Sequence, residues 1–238
     1  MTPSGPTALV VVPTYNEREN LPLLIAGLMP HANVRVLIVD DNSPDGTASV
    51  AHELAERFVG RVLVMRRTGV RGLGRSYIDG LKLAIKEPVD LIFQMDADLS
   101  HDPAQLPDLI AAAAHADLVI GSRYVTGGRI VNWPLRRKLL SRFANMYVRT
   151  VTRLSARDCT SGYRCWRRDA LAAMPLDQFI SDGYSFLVEM LYVAARRGSR
   201  IIEVPITFVE RRLGESKLSR AVLIESAIAP WRLIARDS

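Results

Sequence analysis

The sequence is short of the features that mark several common classes of protein. Two of its 238 residues are cysteines, Cys159 and Cys165, and neither has a metal-type spacing, so we expect reduced thiols. No stretch of about 18 residues is apolar and uncharged, which argues against a transmembrane helix. The N-terminus lacks the basic and long apolar regions of a secretory signal peptide. We therefore expect a cytoplasmic protein that is soluble or peripheral on a membrane.

Lysine is also scarce, although the chain is basic. Arginine outnumbers lysine 27 to 4, and 31 basic residues against 25 acidic residues give a net charge of +6. This excess favours anionic partners such as phosphates, nucleic acid or an acidic membrane surface. The basic residues do not alternate with aromatic residues as a stacking platform for nucleic acid requires, so we expect no nucleic-acid partner. A hydrophobic content of 48% is enough for a sizeable core.

Short β-rich runs alternate with helical patterns five times in the first half of the chain. The predicted strands cover residues 8–12, 34–39, 61–65, 91–95 and 118–120. This alternation predicts an α/β fold with a parallel sheet between layers of helices. We expect Asn16 to cap the first helix. Neither a glycine-rich dinucleotide fingerprint nor a P-loop follows the first strand, so NAD-binding and P-loop proteins fit poorly.

The stretch from Ile92 to Pro103 carries the clearest chemical signal. Asp96 and Asp98 follow an apolar strand and are separated by one residue, so in extended chain their side chains point the same way. Two carboxylates at a strand end suit Mg²⁺ or Mn²⁺, which commonly keeps waters and bridges to substrate phosphates. A solvated turn with two acids has the same local pattern.

Polar residues follow four of the five predicted strands. They are the segments 14–17 and 40–41, the pair Asp96 and Asp98, and Arg123. Ligands of parallel sheets bind beyond the carboxyl ends of the strands, so these groups are expected at one edge. The sequence therefore predicts a site for a phosphate-bearing ligand there.

The second half of the chain is less regular. Predicted helices cover residues 134–154, 182–197 and 219–236, the last interrupted by Pro230, and a strand covers 201–209. The first of these helices has an apolar stripe and a basic stripe, which fits a solvated surface helix or a helix at an anionic membrane with Arg137 and Ser141 turned towards a phosphate. The last is either a core-docking helix or an interfacial one. The charged loop 210–217 is either a connection or a cover for a ligand.

Five motifs in order resemble the family-2 glycosyltransferases, and within them the dolichol-phosphate or polyprenol-phosphate mannose synthases. They are VVPTYNERENL, VLIVDDNSPDGT, MDADLSHDP, GSRY and FVERRLGESKLS. The resemblance implies a single GT-A domain over residues 1–238, a nucleotide-sugar-binding α/β fold with a mostly parallel, mixed sheet flanked by helices. Residues 5–125 are implied to form the nucleotide-sugar half, and 126–238 the acceptor-binding, membrane-facing half.

The resemblance also implies a reaction and the residues that carry it. Mannose would pass from GDP-mannose to a polyprenyl or dolichyl monophosphate, with inversion and with Mg²⁺ or Mn²⁺ as cofactor. Donor binding is implied for Pro13, Tyr15, Glu17, Val39, Asp41, Asp96, Ala97, Asp98, Arg211 and Lys217. The acceptor phosphate is implied to bind Arg123, Arg137 and Ser141, and the catalytic residues to be Asp96, Asp98 and Arg123.

One implied metal ligand departs from the pattern of the family. Asp98 would bind the metal directly, whereas Ser100 stands where some relatives have a metal-binding glutamine. Because serine is shorter, we expect it to reach the ion through water.

Two other functions stay open at this point. One is a polyprenyl-phosphate glucosyltransferase that uses UDP-glucose, and the other is a non-catalytic membrane-recruitment module with a degenerate cleft. The intact acidic and basic residues argue against the second. Some relatives carry C-terminal transmembrane helices, which this sequence lacks. We therefore expect contact with the cytoplasmic face of a membrane, made directly or through a membrane-anchored partner subunit, unless the native chain continues beyond Ser238.

Overall fold

The computed structural model describes residues 5–181, 183–210 and 220–237, and the strands within them form one large sheet and one small sheet. The strands are β1 (Ala8–Thr14), β2 (Val34–Asp40), β3 (Val62–Arg66), β4 (Leu91–Gln94), β5 (Leu118–Ser122), β6 (Arg129–Val131), β7 (Arg164–Arg167), β8 (Ile201–Pro205) and β9 (Thr207–Val209). The helices are α1 (Asn20–Leu28), α2 (Thr47–Arg57), α3 (Leu73–Ala84), α4 (Leu106–Ala112), α5 (Leu135–Thr152), α6 (Arg168–Ala172), α7 (Gly183–Arg196) and α8 (Arg220–Asp237).

The large sheet has the order β3-β2-β1-β4-β7-β5-β8, so β1 lies near its centre. Every residue of β1 is buried, because side chains on both of its faces are covered by helices. Leu9 and Val11 pack with α3 and α7 on one face, and Val10 and Val12 pack with α1, α2 and α4 on the other. The predicted α/β fold, with a mostly parallel central sheet flanked by helices, is confirmed.

The five strands predicted from the alternation all run in the same direction, but a further strand of the sheet does not. β7 inserts between β4 and β5 and is antiparallel to both, whereas β8 is parallel to β5. The mixed sheet implied by the family resemblance is therefore the correct form. Since β7 runs in the opposite direction, the residues just before it lie at the carboxyl ends of β4 and β5. Both halves of the chain contribute strands to this sheet, and the functional division at residue 125 stays a prediction.

Several predicted element boundaries differ from the structure. Asn16 does not cap α1, because the chain turns there with a φ of 60° and the helix begins at Asn20. The predicted strand over 201–209 is divided at Ile206, since β9 leaves the large sheet to pair with β6. The C-terminal helix α8 continues through Pro230 instead of being interrupted.

Close packing of α3 against the sheet brings Tyr77 of this helix to the carboxyl ends of the strands. A Cβ atom on Gly80 would lie 2.6 Å from Val11 and 2.7 Å from Val39, so glycine is required for this approach. The helix therefore lies directly on β1 and β2, and Tyr77 on the same helix is fully buried. Cys159 and Cys165 are both buried free thiols, as the sequence predicts.

Candidate active site

The segment after β4 fixes Asp98 through its own turn. Leu99 has a φ of 62°, a left-handed conformation that turns the chain back on itself. The turn lets Ser100 donate its backbone N–H to Asp98 Oδ1 at 3.1 Å. Asp98 is 9% exposed, so its carboxylate is held in a shielded position at the sheet edge.

Asp96 is held by groups from three other parts of the chain. The Tyr77 hydroxyl donates to Asp96 Oδ1 at 3.0 Å, and the Asp96 backbone N–H donates to His101 Nδ1 at 3.3 Å. Burial lowers the pKa of His101, which leaves the ring neutral with its hydrogen on Nε2. Gly162, two residues before β7, lies against this carboxylate: a Cβ there would lie 3.3 Å from both Asp96 oxygens, so a side chain at this position would push Asp96 aside. Sequence reasoning missed Tyr77, His101 and Gly162.

The oxygen atoms at this point fit a divalent cation. The Ser100 hydroxyl oxygen is buried and has no hydrogen-bond partner among the described residues, although it lines the same cleft as Asp96 and Asp98. Carboxylates and a hydroxyl are the hard donors that Mg²⁺ and Mn²⁺ prefer, with other positions left to water and substrate phosphates. Within residues 5–181, 183–210 and 220–237, no group of three or more His, Cys, Asp or Glu side chains is arranged to hold a metal.

Two arginines from the loop after β3 organise the predicted donor-binding residues. Arg67 forms an ion pair with Asp41, and the Gly72 N–H donates to the second Asp41 oxygen at 2.8 Å. Arg71 lies over the Tyr15 ring, 4.9 Å from its centroid, and donates to the Tyr15 hydroxyl. Sequence reasoning missed both arginines, although Gly69, Gly72 and Gly74 around them are typical of a loop.

The remaining predicted donor residues lie along the same sheet edge. Pro13 and Val39 are register partners of β1 and β2 and are buried, and Ala97 is buried between the two aspartates. Glu17 is half-buried and accepts a hydrogen bond from Asn20 at 2.7 Å. Arg211 and Lys217 lie outside the described residues.

Arg123 is locked in a buried ion pair. Its Nε and Nη2 atoms each donate to Asp158 at 2.7 Å, and Nη2 also donates to Thr160 at 2.8 Å. Burial alone raises the pKa of Asp158, but the Arg123 guanidinium outweighs burial and holds this pKa below its usual value. Asp158 is therefore ionised and fixes the guanidinium in a planar, bidentate contact. The sequence had not pointed to Asp158 or Thr160, which precede β7.

The predicted acceptor residues Arg137 and Ser141 lie on α5. Arg137 Nη1 donates to Glu210 at 2.7 Å, and its guanidinium lies 4.1 Å from the centroid of the Trp133 ring. Ser141 accepts a hydrogen bond from the Tyr124 hydroxyl at 2.7 Å. Arg137 and Ser141 line the same cleft of about 270 Å³ as Asp96, Asp98 and Arg123. The structure thus brings the predicted metal and acceptor groups into one cavity.

The cleft continues as an apolar groove between α5 and α8. Its lining there is Leu140, Phe143, Ala144, Tyr147, Val148, Ala227, Ala229 and Pro230. Two hydrogen bonds join these helices through Tyr147 of α5. The Trp231 indole N–H donates to the Tyr147 hydroxyl at 2.8 Å, and the hydroxyl donates to the Ala227 carbonyl at 2.6 Å. One end of the polar cleft therefore opens onto a surface suited to hydrocarbon.

The outer face of α5 is apolar and exposed to solvent. Its large exposed side chains are Leu135, Leu139, Leu140, Phe143 and Met146, and Trp231 and Ile228 of α8 are also exposed. The apolar stripe predicted on this helix consists of Leu139, Phe143, Met146 and Tyr147; the first three are exposed, whereas Tyr147 is half-buried. In the part of the chain that the structure describes, no helix has both the length and the hydropathy needed to cross a bilayer.

Comparison with known proteins gives the family. The sequence pattern of the family described as Glycosyl transferase family 2 matches residues 9–174. The chain belongs to this family. The resemblance read from the five motifs is confirmed, and a glycosyltransferase of the GT-A fold accounts for the acidic strand end and the mixed sheet.

Two family-2 relatives match along nearly the whole chain. The undecaprenyl-phosphate mannosyltransferase of Micrococcus luteus is 47% identical over 233 residues, which cover 96% of this chain and 95% of the relative. The polyprenol monophosphomannose synthase of Mycolicibacterium smegmatis is 46% identical, covering 96% of this chain and 88% of the relative.

A solved structure shares the fold at lower identity. It is the glucosyl-3-phosphoglycerate synthase of Mycobacterium tuberculosis in complex with Mn²⁺, UDP and phosphoglyceric acid. Its TM-score is 0.69 and its identity 20%, and the match covers 98% of this chain and 77% of that one. At this identity the likeness speaks for the fold alone.

Proposed function

We propose that this glycosyltransferase moves mannose from GDP-mannose to a polyprenyl monophosphate and forms a β-linked mannosyl phospholipid. The observation that carries the proposal is the single cleft in which Asp96 and Asp98 lie with Arg123, Arg137 and Ser141. A sugar diphosphate fits the acidic edge with its cation, a monophosphate fits the arginines, and a hydrocarbon chain fits the groove between α5 and α8. The names of the two close relatives support both the sugar and the class of acceptor.

The proposed reaction requires little proton transfer by the protein. A phosphate monoester is already anionic at neutral pH, so one of its oxygens attacks the anomeric carbon without a strong general base. The new carbon–oxygen bond forms on the face opposite the leaving group, and the bond to the diphosphate breaks with inversion. The chain's contribution is to position the two phosphate groups and to offset their charge. Arg137 suits this task because guanidinium groups bind phosphate through paired donors.

Asp98 would hold Mg²⁺ or Mn²⁺, with Ser100 as a further contact through water. The cation would supply charge stabilisation for the departing diphosphate. Asp96 is the neighbouring carboxylate, and its contacts with Tyr77 and His101 keep it in a fixed orientation. That Arg211 and Lys217 close over the diphosphate stays a prediction.

The exposed face of α5 is proposed to lie against an anionic membrane surface. Leu135, Leu139 and Met146 point to solvent, and Lys138 and Arg142 lie beside this face by helical spacing. Apolar side chains between basic ones fit the boundary between headgroups and acyl chains. Nothing in the described residues calls for a membrane-anchored partner subunit, so we propose direct contact. That this is the cytoplasmic face stays a prediction.

Transfer of radiolabelled sugar to a short polyprenyl phosphate in detergent tests the proposal. We expect transfer from GDP-mannose with Mg²⁺ or Mn²⁺ and none with EDTA. Equal transfer with EDTA would rule out the metal role and keep the reaction. Transfer from UDP-glucose alone would keep the fold and the acceptor site and replace the sugar. If neither donor is used and calorimetry detects no binding of GDP or UDP, the non-catalytic recruitment module becomes the better description.

A further inference from the structure

Buried polar atoms without a hydrogen-bond partner are uncommon in folded proteins, and each needs an explanation. Among the described residues of this chain, three residues with such an atom line the cleft: Ser100 Oγ, Trp133 Nε1 and Arg137 Nε. Ser100 and Arg137 have roles in the proposed site. Trp133 has none, although it lies between β6 and α5 and lines the cleft together with Arg137 and Ser141.

The other two tryptophans of the chain show what an indole N–H normally does in this protein. Trp166 Nε1 donates to the Gln94 side chain at 2.8 Å, and Trp231 Nε1 donates to the Tyr147 hydroxyl at 2.8 Å. Trp133 Nε1 is shielded from solvent and has no acceptor among the described residues. An unpaired buried donor costs about 1–3 kcal/mol, so this position is stabilised by any ligand that brings an acceptor.

The surroundings of Trp133 identify the charge of that acceptor. The Arg137 guanidinium lies 4.1 Å from the ring centroid, and the Arg123 guanidinium lies 5.8 Å from it. The edge of Phe208 packs on the same indole, with centroids 5.3 Å apart. An anion held between these two arginines lies beside the indole, and two cations with one N–H donor favour an oxyanion over a neutral group.

We propose that Trp133 is a third donor to the acceptor phosphate, with its indole N–H bonded to an oxygen of the phosphate that Arg123 and Arg137 hold. This inference rests on the acceptor site of the proposed function. Without the anion, the Glu210 carboxylate pairs with Arg137 and keeps that guanidinium against the ring. The phosphate replaces Glu210 on Arg137, and the movement of Arg137 opens the indole N–H to a phosphate oxygen.

Nuclear magnetic resonance of ¹⁵N-labelled protein tests the contact without turnover, because the sequence has three tryptophans and therefore three indole N–H signals. The Trp133→Phe variant assigns the relevant signal by its loss. The probe is citronellyl phosphate, and citronellol is the matched probe without the anion. We expect citronellyl phosphate to move the Trp133 signal downfield and leave the Trp166 signal in place, and citronellol to leave the Trp133 signal unmoved. An unmoved Trp133 signal with the phosphate, or an equal shift with the alcohol, overturns the inference.

Steady-state kinetics separates the N–H from the ring. Trp133→Phe keeps an aromatic surface under Arg137 but has no N–H, whereas Trp133→Ala removes both. A hydrogen bond to a charged group is worth enough that we expect Trp133→Phe to raise the KM for the acceptor about 10-fold. The KM for the donor should stay within about twofold of the wild type, because Trp133 is not among the donor-binding residues. An acceptor KM in Trp133→Phe equal to that of the wild type overturns the inference.

Failure of this inference is distinguishable from failure of the proposed function. If the wild type transfers mannose and Trp133→Phe has an unchanged acceptor KM, Trp133 is not a donor and the proposed function stands. If the wild type transfers no sugar, the proposed function fails, and the resonance experiment still decides whether the indole binds the phosphate.

Discussion

The carboxylates of the donor edge differ from two N–H donors on the acceptor side of the cleft in whether their hydrogen bonds are already made. On the donor edge, the carboxylates of Asp41, Asp96 and Asp98 all accept hydrogen bonds from the chain itself. On the acceptor side, Trp133 and Arg137 each keep a shielded N–H that has no partner among the described residues. The adjoining surface of α5 exposes large apolar side chains to solvent.

This difference teaches which ligand each region is prepared for. In the proposed function, fixed carboxylates would hold a cation, and through it a diphosphate, without reorganisation, which is the arrangement that lowers a barrier most effectively. In the proposed function, an anion with a hydrocarbon chain would complete the acceptor side. Its unpaired donors and exposed apolar surface both become satisfied by the same amphipathic molecule. Substitutions on the two sides should therefore affect different kinetic constants.

The largest effect is expected at the donor edge. Asp98→Ala removes the carboxylate that would hold the cation, and we expect kcat to fall at least about 10³-fold, equivalent to about 4 kcal/mol of barrier. Asp102→Ala is the control on the same segment, because this exposed side chain accepts only a capping bond from the Ala104 N–H at 2.9 Å. Its loss should cost about 1 kcal/mol of stability and little activity. Near-normal turnover by Asp98→Ala would remove the metal role.

The next effect concerns the acceptor alone. Arg137→Ala removes the guanidinium of α5 from the cleft, and we expect the acceptor KM to rise about 30-fold while the donor KM stays within about twofold, since a charge-assisted bond is worth about 2 kcal/mol. Arg136→Ala, assayed in detergent, is the control, because Arg136 is an exposed neighbouring arginine that does not line the cleft. A rise in both KM values for Arg137→Ala would contradict the separation of the two sides.

The membrane surface can be tested without touching the cleft. The double variant Leu135→Ser and Leu139→Ser changes two exposed side chains of α5 that do not line the cavity. We expect cosedimentation with vesicles containing anionic lipid to weaken about 10-fold, because each leucine loses part of its transfer free energy. Leu23→Ser with Val59→Ser is the matched control, since these side chains are exposed elsewhere on the molecule. Equal losses for the two pairs would count against α5 as the contact.

The smallest effect is expected at the ion pair that occupies Arg137. Glu210→Gln removes the carboxylate that the phosphate is proposed to displace, so the acceptor KM should fall about threefold. The size is modest because partly exposed ion pairs contribute about 0.2–1 kcal/mol. Glu87→Gln is the control, as Glu87 pairs with Arg35 at 2.8 Å with similar exposure and far from the cleft. A higher acceptor KM in Glu210→Gln would mean that Glu210 positions Arg137 for the phosphate instead of competing with it.

Much of the donor edge could be predicted because its signals are local. β1, β2 and β4 are apolar runs, and Asp96 and Asp98 follow β4 at a spacing of two. The capping role predicted for Asn16 failed because a left-handed turn precedes the helix, and propensity alone does not register such a turn. The antiparallel β7 was missed because its four residues, Arg164–Arg167, begin and end with arginine and show no alternation of apolar and polar side chains.

The sequence by itself determined the alternation of strands and helices as far as β5, the acidic turn after β4 and the family, since each depends on residues close together along the chain. The tertiary structure alone decided how Arg123 and Arg137 are held. Arg123 meets Asp158 across 35 residues because β7 enters the sheet in reverse. Arg137 meets Glu210 across 73 residues because β9 pairs with β6 at the foot of α5. Such contacts depend on the order and direction of strands in the sheet, which leave no periodic mark in the sequence.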